Sequence, residues 1–185
     1  RPVLLQHGFG QSTHIWRPLM RELAKSHTVI AADLRGAGQS NAAEGYTKSS
    51  MARDVQALMK GLGKDKVSIV GHDIGAMVAY AYAVQFPGEV KSLALLDGFL
   101  PGVGDWTRVW LARDQWHFVF YGKTPQALVQ GRERIYLDHF WDDFAADPTK
   151  SISEADRKIY AAEFARPGHV HAGMEYFRTI EEDGR

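Results

Sequence analysis

"VGHDIGAM", Val70–Met77, lies where the apolar run Lys66–Gly71 gives way to the small-residue pattern of Ile74–Phe86. Strand, sharp turn and helix follow one another, and the turn has the outline small–X–nucleophile–X–small. Such a turn lifts its middle residue above the end of a sheet and sets it at a helix N-terminus. The middle residue here is Asp73, where serine is usual. Strand and helix pack closely at such a turn, and Gly71 and Gly75 are small enough to allow it. The helix dipole and the first free N–H groups favour negative charge. Asp73 is therefore expected to be ionised, and a carboxylate needs no base to become nucleophilic. It can attack saturated carbon and form an ester that water must then hydrolyse. The competing reading is that Asp73 is only an N-cap, for which aspartate is a preferred residue.

Outward from this turn the chain alternates between two patterns as far as Gly98. Apolar strands are expected at "PVLLQ" (2–6), "TVIAADL" (28–34), "KVSIVG" (66–71) and "VKSLALLD" (90–97). Between them lie three helical stretches. The first carries Trp16, Leu19, Leu23 and Ala24. The second is Thr47–Gly63, with Ser or Thr at its start and Gly63 past its end. The third is Ile74–Phe86, stopped by Pro87. Continuous apolar strands alternating with helices predict an α/β fold, a parallel sheet covered on both faces. After Asp97 the stretch "GFLPGVGDW" suits a hinge. Beyond it no strand pattern appears. Residues 124–146 have helical spacing through Leu128, Ile135, Phe140, Trp141 and Phe144. Two overlapping capping boxes, Ser151 to Glu154 and Ser153 to Asp156, open the next helix, and Pro167 is expected near the first turn of the last. The division expected is a partial core over 1–102 and a helical unit over 103–185.

Composition excludes several classes. Lys plus Arg number 22 and Asp plus Glu 22, so there is no electrostatic footprint for nucleic acid or for an anionic membrane. The absence of cysteine rules out disulfides, thiolate metal sites and thiol nucleophiles, and leaves the compartment open. No apolar stretch approaches the length of a membrane span. Because a buried strand begins at the second residue, the chain is expected to be a fragment of a larger domain.

Two further stretches bear on the turn. "HGFG", His7–Gly10, follows the first strand, and its glycines let the Phe9 N–H turn toward the tip of the sheet. With the Ile74 N–H it would make a two-donor anion hole. "DLRGAGQS", Asp33–Ser40, ends the second strand. Each alone is an ordinary Gly-rich turn. Together with Asp73 they occupy the carboxyl ends of consecutive parallel strands, where open α/β sheets place their sites.

Taken together, "HGFG", "DLRGAGQS" and "GHDIGAMVAYAYA" resemble the α/β-hydrolase superfamily in order and spacing. The aspartate nucleophile resembles that of epoxide hydrolases and dehalogenases. "WHFVFY", "GRERIYLDHFWDDFA" and "FARPGHVHAGMEYFR" resemble the helical cap of bacterial epoxide hydrolases. The resemblance implies a two-step reaction with no metal or organic cofactor, on a small apolar epoxide-like substrate. Asp73 attacks an epoxide carbon, cap side chains donate to the leaving oxygen, and a histidine–acid pair activates the water. His117 matches the family's histidine donor, with packing in an aromatic cluster as the alternative. The family's tyrosine donor falls at Phe177, which has no proton to give. Tyr176 or Tyr121 is left to substitute, or His117 to act alone, or ring opening is impaired. Asp97, at the end of the fourth strand, is the candidate relay acid, with a plain Asp-Gly turn as the alternative. The family's catalytic histidine follows the last strand, past the cap, and none of His7, His14, His27, His72, His117, His139, His169 and His171 is expected in that place; His72 is expected on the far face of the turn.

Dehalogenases are the nearest rivals. Where the haloacetate enzymes carry arginines this chain has Ile74 and Met77, and Ile74 also stands where haloalkane enzymes carry a tryptophan. A ligand-binding protein without catalysis is the rival from another class, and a homodimer is left open.

Overall fold

The computed structural model describes residues 1–185. Four strands form one parallel sheet: β1 (Pro2–Gln6), β2 (Thr28–Ala32), β3 (Val67–His72) and β4 (Val90–Leu96). Their order is β2-β1-β3-β4. From β1 the chain steps one way to β2 and then returns to the other side for β3. The reversal opens a crevice at the carboxyl ends of β1 and β3, where this type of sheet places its ligands.

Side-chain alternation along β1 separates the two faces. Val3 and Leu5 point to one face, with Trp16 and the side of α1 (Arg17–Leu23). Leu4 points to the other, into a core shared with α2 (Lys48–Gly61) and α3 (Ile74–Gln85). α2 starts as its sequence predicts: the Thr47 hydroxyl accepts from the Ser50 N–H, and Met51, Ala52, Val55 and Met59 form its buried face. α3 is enclosed along most of its length, which suits its run of Gly, Ala and Val. One expectation fails here. α1 has only seven residues and leaves Leu19 and Ala24 exposed, with Trp16 supplying the packing. β4 lies at one edge of the sheet.

From Trp106 onward the chain is helical: α4 (Trp106–Trp110), a 3-10 segment (Arg113–Val119), α5 (Lys123–Val129), α6 (Glu133–Asp142), α7 (Pro148–Ser151), α8 (Glu154–Phe164), α9 (His169–Arg178) and α10 (Ile180–Asp183). The stretch read as one helix over 124–146 is two, broken at Gly131, whose φ is +79°. Leu128 and Ile135 face solvent and Phe144 is only partly covered; Val129, Tyr136 and Leu137 are buried, along with the expected Trp141. Ser153 caps α8 by accepting from the Asp156 N–H, the second of the two boxes. Pro167 lies ahead of α9, which is entered through left-handed Gly168 rather than through a proline in its first turn. No helix is long and apolar enough to cross a membrane.

Polar ties hold the helices together and onto the sheet. Arg157 pairs with Asp138 and Asp142, and Arg134 with Asp138 and Glu154, which joins α6 to α8. Lys48, buried at the start of α2, donates to the Tyr176 carbonyl, the Thr179 hydroxyl and the Asp183 carboxylate. His14 meets Asp156 at 2.6 Å. The helical segment is thereby fixed over the carboxyl ends of β1 and β3.

Candidate active site

Asp73 takes φ 52° and ψ −121°, a conformation that L-residues rarely adopt. Such an outlier persists only where its surroundings over-determine it, and it is commonly functional. Here the surroundings are the two glycines: a Cβ on Gly75 would collide with the Gln6 carbonyl, and one on Gly71 with Gly75 itself. Although Asp73 occupies the N-cap position of α3, its side chain makes no capping hydrogen bond. Its Oδ2 instead accepts from the Phe9 N–H at 2.8 Å, from the loop after β1. The simple N-cap reading is therefore not what the side chain does.

Burial raises the Asp73 carboxyl above its ordinary value. The Phe9 N–H, the charge of His72 and the Ile74 N–H oppose this, and Asp97 adds to it. Two backbone donors, one histidine and one carboxylate thus act on one carboxyl group. Asp97 also has a positive φ, 43°, and lies at the end of β4. The adjoining Gly98 backs directly onto the Asp73 backbone.

Asp73 and Asp97 open into a cavity of about 680 Å³ between the sheet and the helices. Its helical wall includes His117, Phe140, Trp141, Phe144 and Phe177, and none of its 17 lining residues is Lys or Arg. A mostly apolar cavity with a few convergent polar groups is the usual form of a small-molecule site. His117 is 5% exposed, with Phe118, Phe140, Phe144 and Phe177 around its ring. Burial, reinforced by the charge of His139 and opposed by Asp114, lowers its pKa to about 4. It is a neutral imidazole at pH 7, on the cavity wall and inside an aromatic cluster at once.

The candidate set is thus partly assembled. Asp73, Asp97, His117 and Phe9 line one cavity, and Ile74 offers its N–H to Asp73. Tyr176 does not join them. Its hydroxyl donates to the Arg35 carbonyl at 2.5 Å, it is buried between helix and core loop, and it is absent from the cavity wall. This corrects its expected part as a donor. One residue along a helix turns a side chain about 100°, so Phe177 faces the cavity and Tyr176 faces away. Tyr121 is not on the wall either. His72 is a second correction: it lines the cavity beside Asp73, with its Nδ1 3.1 Å from Gln11 Oε1.

Sequence reasoning missed Gln11. Its side-chain oxygen accepts from the Gly8 N–H at 3.0 Å as well as meeting His72, which stiffens the loop bearing the Phe9 N–H. The run "HGFGQS" carried it, but nothing in the spacing showed where the amide points. No cluster of three or more His, Asp or Glu is arranged to hold a metal ion.

A sequence profile described as alpha/beta hydrolase fold matches residues 1–173. The chain belongs to that family. Among its relatives is a protein named soluble epoxide hydrolase from Corynebacterium sp. (strain C12), 35% identical over 98% of this chain and 66% of that protein. A fluoroacetate dehalogenase from Burkholderia sp. is 38% identical over 96% of this chain and 62% of that protein. The crystal structure of Cfl2 from Burkholderia cenocepacia superposes with a TM-score of 0.88 at 34% identity, over 100% of this chain and 65% of that one. The chain thus spans about two thirds of the length of these relatives.

Proposed function

We propose that the protein opens epoxides to diols through an ester on Asp73. The observation that carries this reading is the Asp73 carboxylate itself: set on a strained strand-to-helix turn, held by the Phe9 N–H, and open to an apolar cavity with His117 on its wall. In this reading one Asp73 oxygen attacks the less hindered epoxide carbon from the sheet side. The leaving oxygen forms toward the helices, where His117 can donate to it. The helices act as a cap over 103–185 and the sheet as the core over 1–102. Once the ester has formed, its carbonyl oxygen occupies the place where Oδ2 now meets Phe9. The Phe9 and Ile74 N–H groups then stabilise the oxyanion of hydrolysis, a contribution on the order of 10²–10³-fold per donor in comparable sites. Asp97 is the relay acid for the water-activating base. The named activity of the Corynebacterium relative supports the same chemistry.

Similarity to the Burkholderia fluoroacetate dehalogenase motivates a second reading, halide displacement by the same carboxylate. The cavity argues against a haloacetate. Ile74 and Met77 are buried apolar side chains, no Lys or Arg lines the wall, and two carboxylates do. An anionic substrate would enter against that charge.

Diol formation from an aryl epoxide, measured beside halide release from fluoroacetate and from a haloalkane, decides between them. Diol without halide supports the epoxide reading, and halide with no diol overturns it. Ligand binding that survives Asp73→Asn, with no product of either kind from the unaltered protein, would mark a binding protein on this fold.

A further inference from the structure

A neutral imidazole is an awkward proton donor. Giving up its one N–H outright would leave an imidazolate. His117 is neutral at pH 7, and at the place where the resemblance expects a second donor stands Phe177, which has none. A neutral His117 protonates an alkoxide without becoming an imidazolate only if its other nitrogen is resupplied in the same event.

The structure holds a group positioned to do this. His117 Nδ1 is enclosed and has no hydrogen-bond partner, and His139 Nε2 is likewise enclosed and unpartnered. Buried polar atoms of this kind are rare and call for explanation. The two ring centroids stand 6.3 Å apart and the rings make no direct hydrogen bond. The route proposed below joins the two nitrogens through one water. On its other side His139 Nδ1 lies 2.5 Å from Asp143 Oδ2, one turn further along α6. Asp143 is 66% exposed, so the chain of groups runs from solvent to the cavity. Trp116, Phe140 and Phe144 fence His139, which keeps the path narrow.

We propose that His139 and Asp143 are a positioning pair that supplies His117 with the proton for epoxide opening. This rests on the Asp73 ester reading above. As the Asp73 oxygen–carbon bond forms, the epoxide carbon–oxygen bond breaks. The alkoxide takes the Nε2 proton of His117. The bridging water gives a proton to His117 Nδ1 and takes one from His139 Nε2. His117 ends neutral, as the other tautomer. His139 passes from cation to neutral beside the Asp143 carboxylate, and then regains a proton from solvent. A single histidine can thereby serve where Phe177 removes a partner.

The charged and titratable groups around the pair are few. His139 is faced by Asp143 on α6 and by His117 from the 3-10 segment. His117 is faced by His139 and feels Asp114 on its own segment, while α9 presents only the Phe177 ring. Asp73, Asp97 and His72 lie across the cavity. The route passes through His139, so ring opening depends on that ring, while attack on a substrate whose leaving group needs no proton does not.

Rapid-quench formation of the Asp73 ester, followed by mass in the full-length protein, tests this. The probes are an aryl epoxide and the matching alkyl bromide, whose leaving group needs no proton. His139→Gln lowers the epoxide-to-bromide rate ratio by about 10²-fold. Asp143→Asn, at an exposed position that spares the fold, lowers the same ratio by a smaller factor. Equal loss on both probes would mean a merely structural role and overturn the proposal, as would an unchanged ratio. No ester from the epoxide in the unaltered protein would instead overturn the Asp73 reading, and the proton supply with it.

Discussion

Replacing Gly8 by alanine probes how tightly the candidate nucleophile is held. A Cβ there would stand 2.7 Å from Asp73 Cβ, 2.8 Å from its Oδ2 and 3.0 Å from His72 Nδ1. Relaxed carbon–carbon contacts lie at about 3.5–4.0 Å, so something must move by about 1 Å. Asp73 has little freedom, because its positive φ is fixed by the packing of Gly71 and Gly75. The displacement therefore falls on the loop His7–Gly10, and Phe9 is the next residue. Lengthening its 2.8 Å bond to Asp73 by about 1 Å abolishes it. A misplacement of about 1 Å at a reacting centre costs on the order of 10²-fold in rate. That corresponds to about 2.7 kcal/mol of barrier. Overpacking should cost a further ~1–3 kcal/mol of stability. The assay is single-turnover ester formation at saturating epoxide, read by mass, beside thermal unfolding. Gly61→Ala is the control: its Cβ would meet nothing within 4 Å, so the rate should hold and α2 gain up to about 1 kcal/mol. Ester formation by Gly8→Ala within about threefold of the unaltered protein would refute the reasoning. It would mean the Phe9 contact does not set the position of Asp73.

Four other outcomes are expected. Phe177→Tyr adds a donor on the cavity wall, on a ring 5.7 Å from His117, and should speed epoxide opening by about tenfold or more; an unchanged rate shows that the missing hydroxyl is not limiting. The raised Asp73 carboxyl should give ester formation an acid limb, lost as pH falls, at a higher pH than an ordinary carboxylate would give. His72→Gln removes a charge that opposes the rise and should move that limb higher still in a pH–rate profile. Lys48→Ala removes three Nζ hydrogen bonds at the start of α2, including the ion pair with the buried Asp183 carboxylate, and leaves that carboxylate only the backbone N–H of residue 48. It should cost about 3–5 kcal/mol in urea unfolding, and Lys48→Met less because it refills the space.

Much of the sheet and the turn was legible because local rules act there without competition. Small residues at 71 and 75, an apolar strand before them and a helix pattern after them all point to one geometry. Thr47 capped its helix for the same local reason. The helical segment was less legible. Between Thr124 and Ala146 a helical period is compatible with more than one buried face, and the left-handed turn at Gly131 shifts the phase, so Leu128 and Ile135 end outside while Val129 and Tyr136 end inside. Tyr176 was misplaced because only the docking of α9 on the Arg35 loop decides which of two adjacent aromatic residues faces the cavity. Lys48 and Gln11 carried no signal, since each matters through partners distant in sequence. The spacing of His139 and Asp143, one helical turn, was visible, but its meaning depends on His117 lying opposite.

The most direct measurement is turnover of an aryl epoxide by the full-length protein in oxygen-18 water, with the Asp73 peptide read by mass. Attack of water on an Asp73 ester carbonyl leaves one heavy oxygen in that carboxylate after each cycle, so the account predicts label in Asp73, and an alkyl adduct of substrate mass on the same peptide when the reaction is quenched early. Diol formed with the heavy oxygen in the product alone, and none in Asp73 under single-turnover conditions, would mean that water attacks the epoxide directly, and would contradict the claim that Asp73 is the nucleophile.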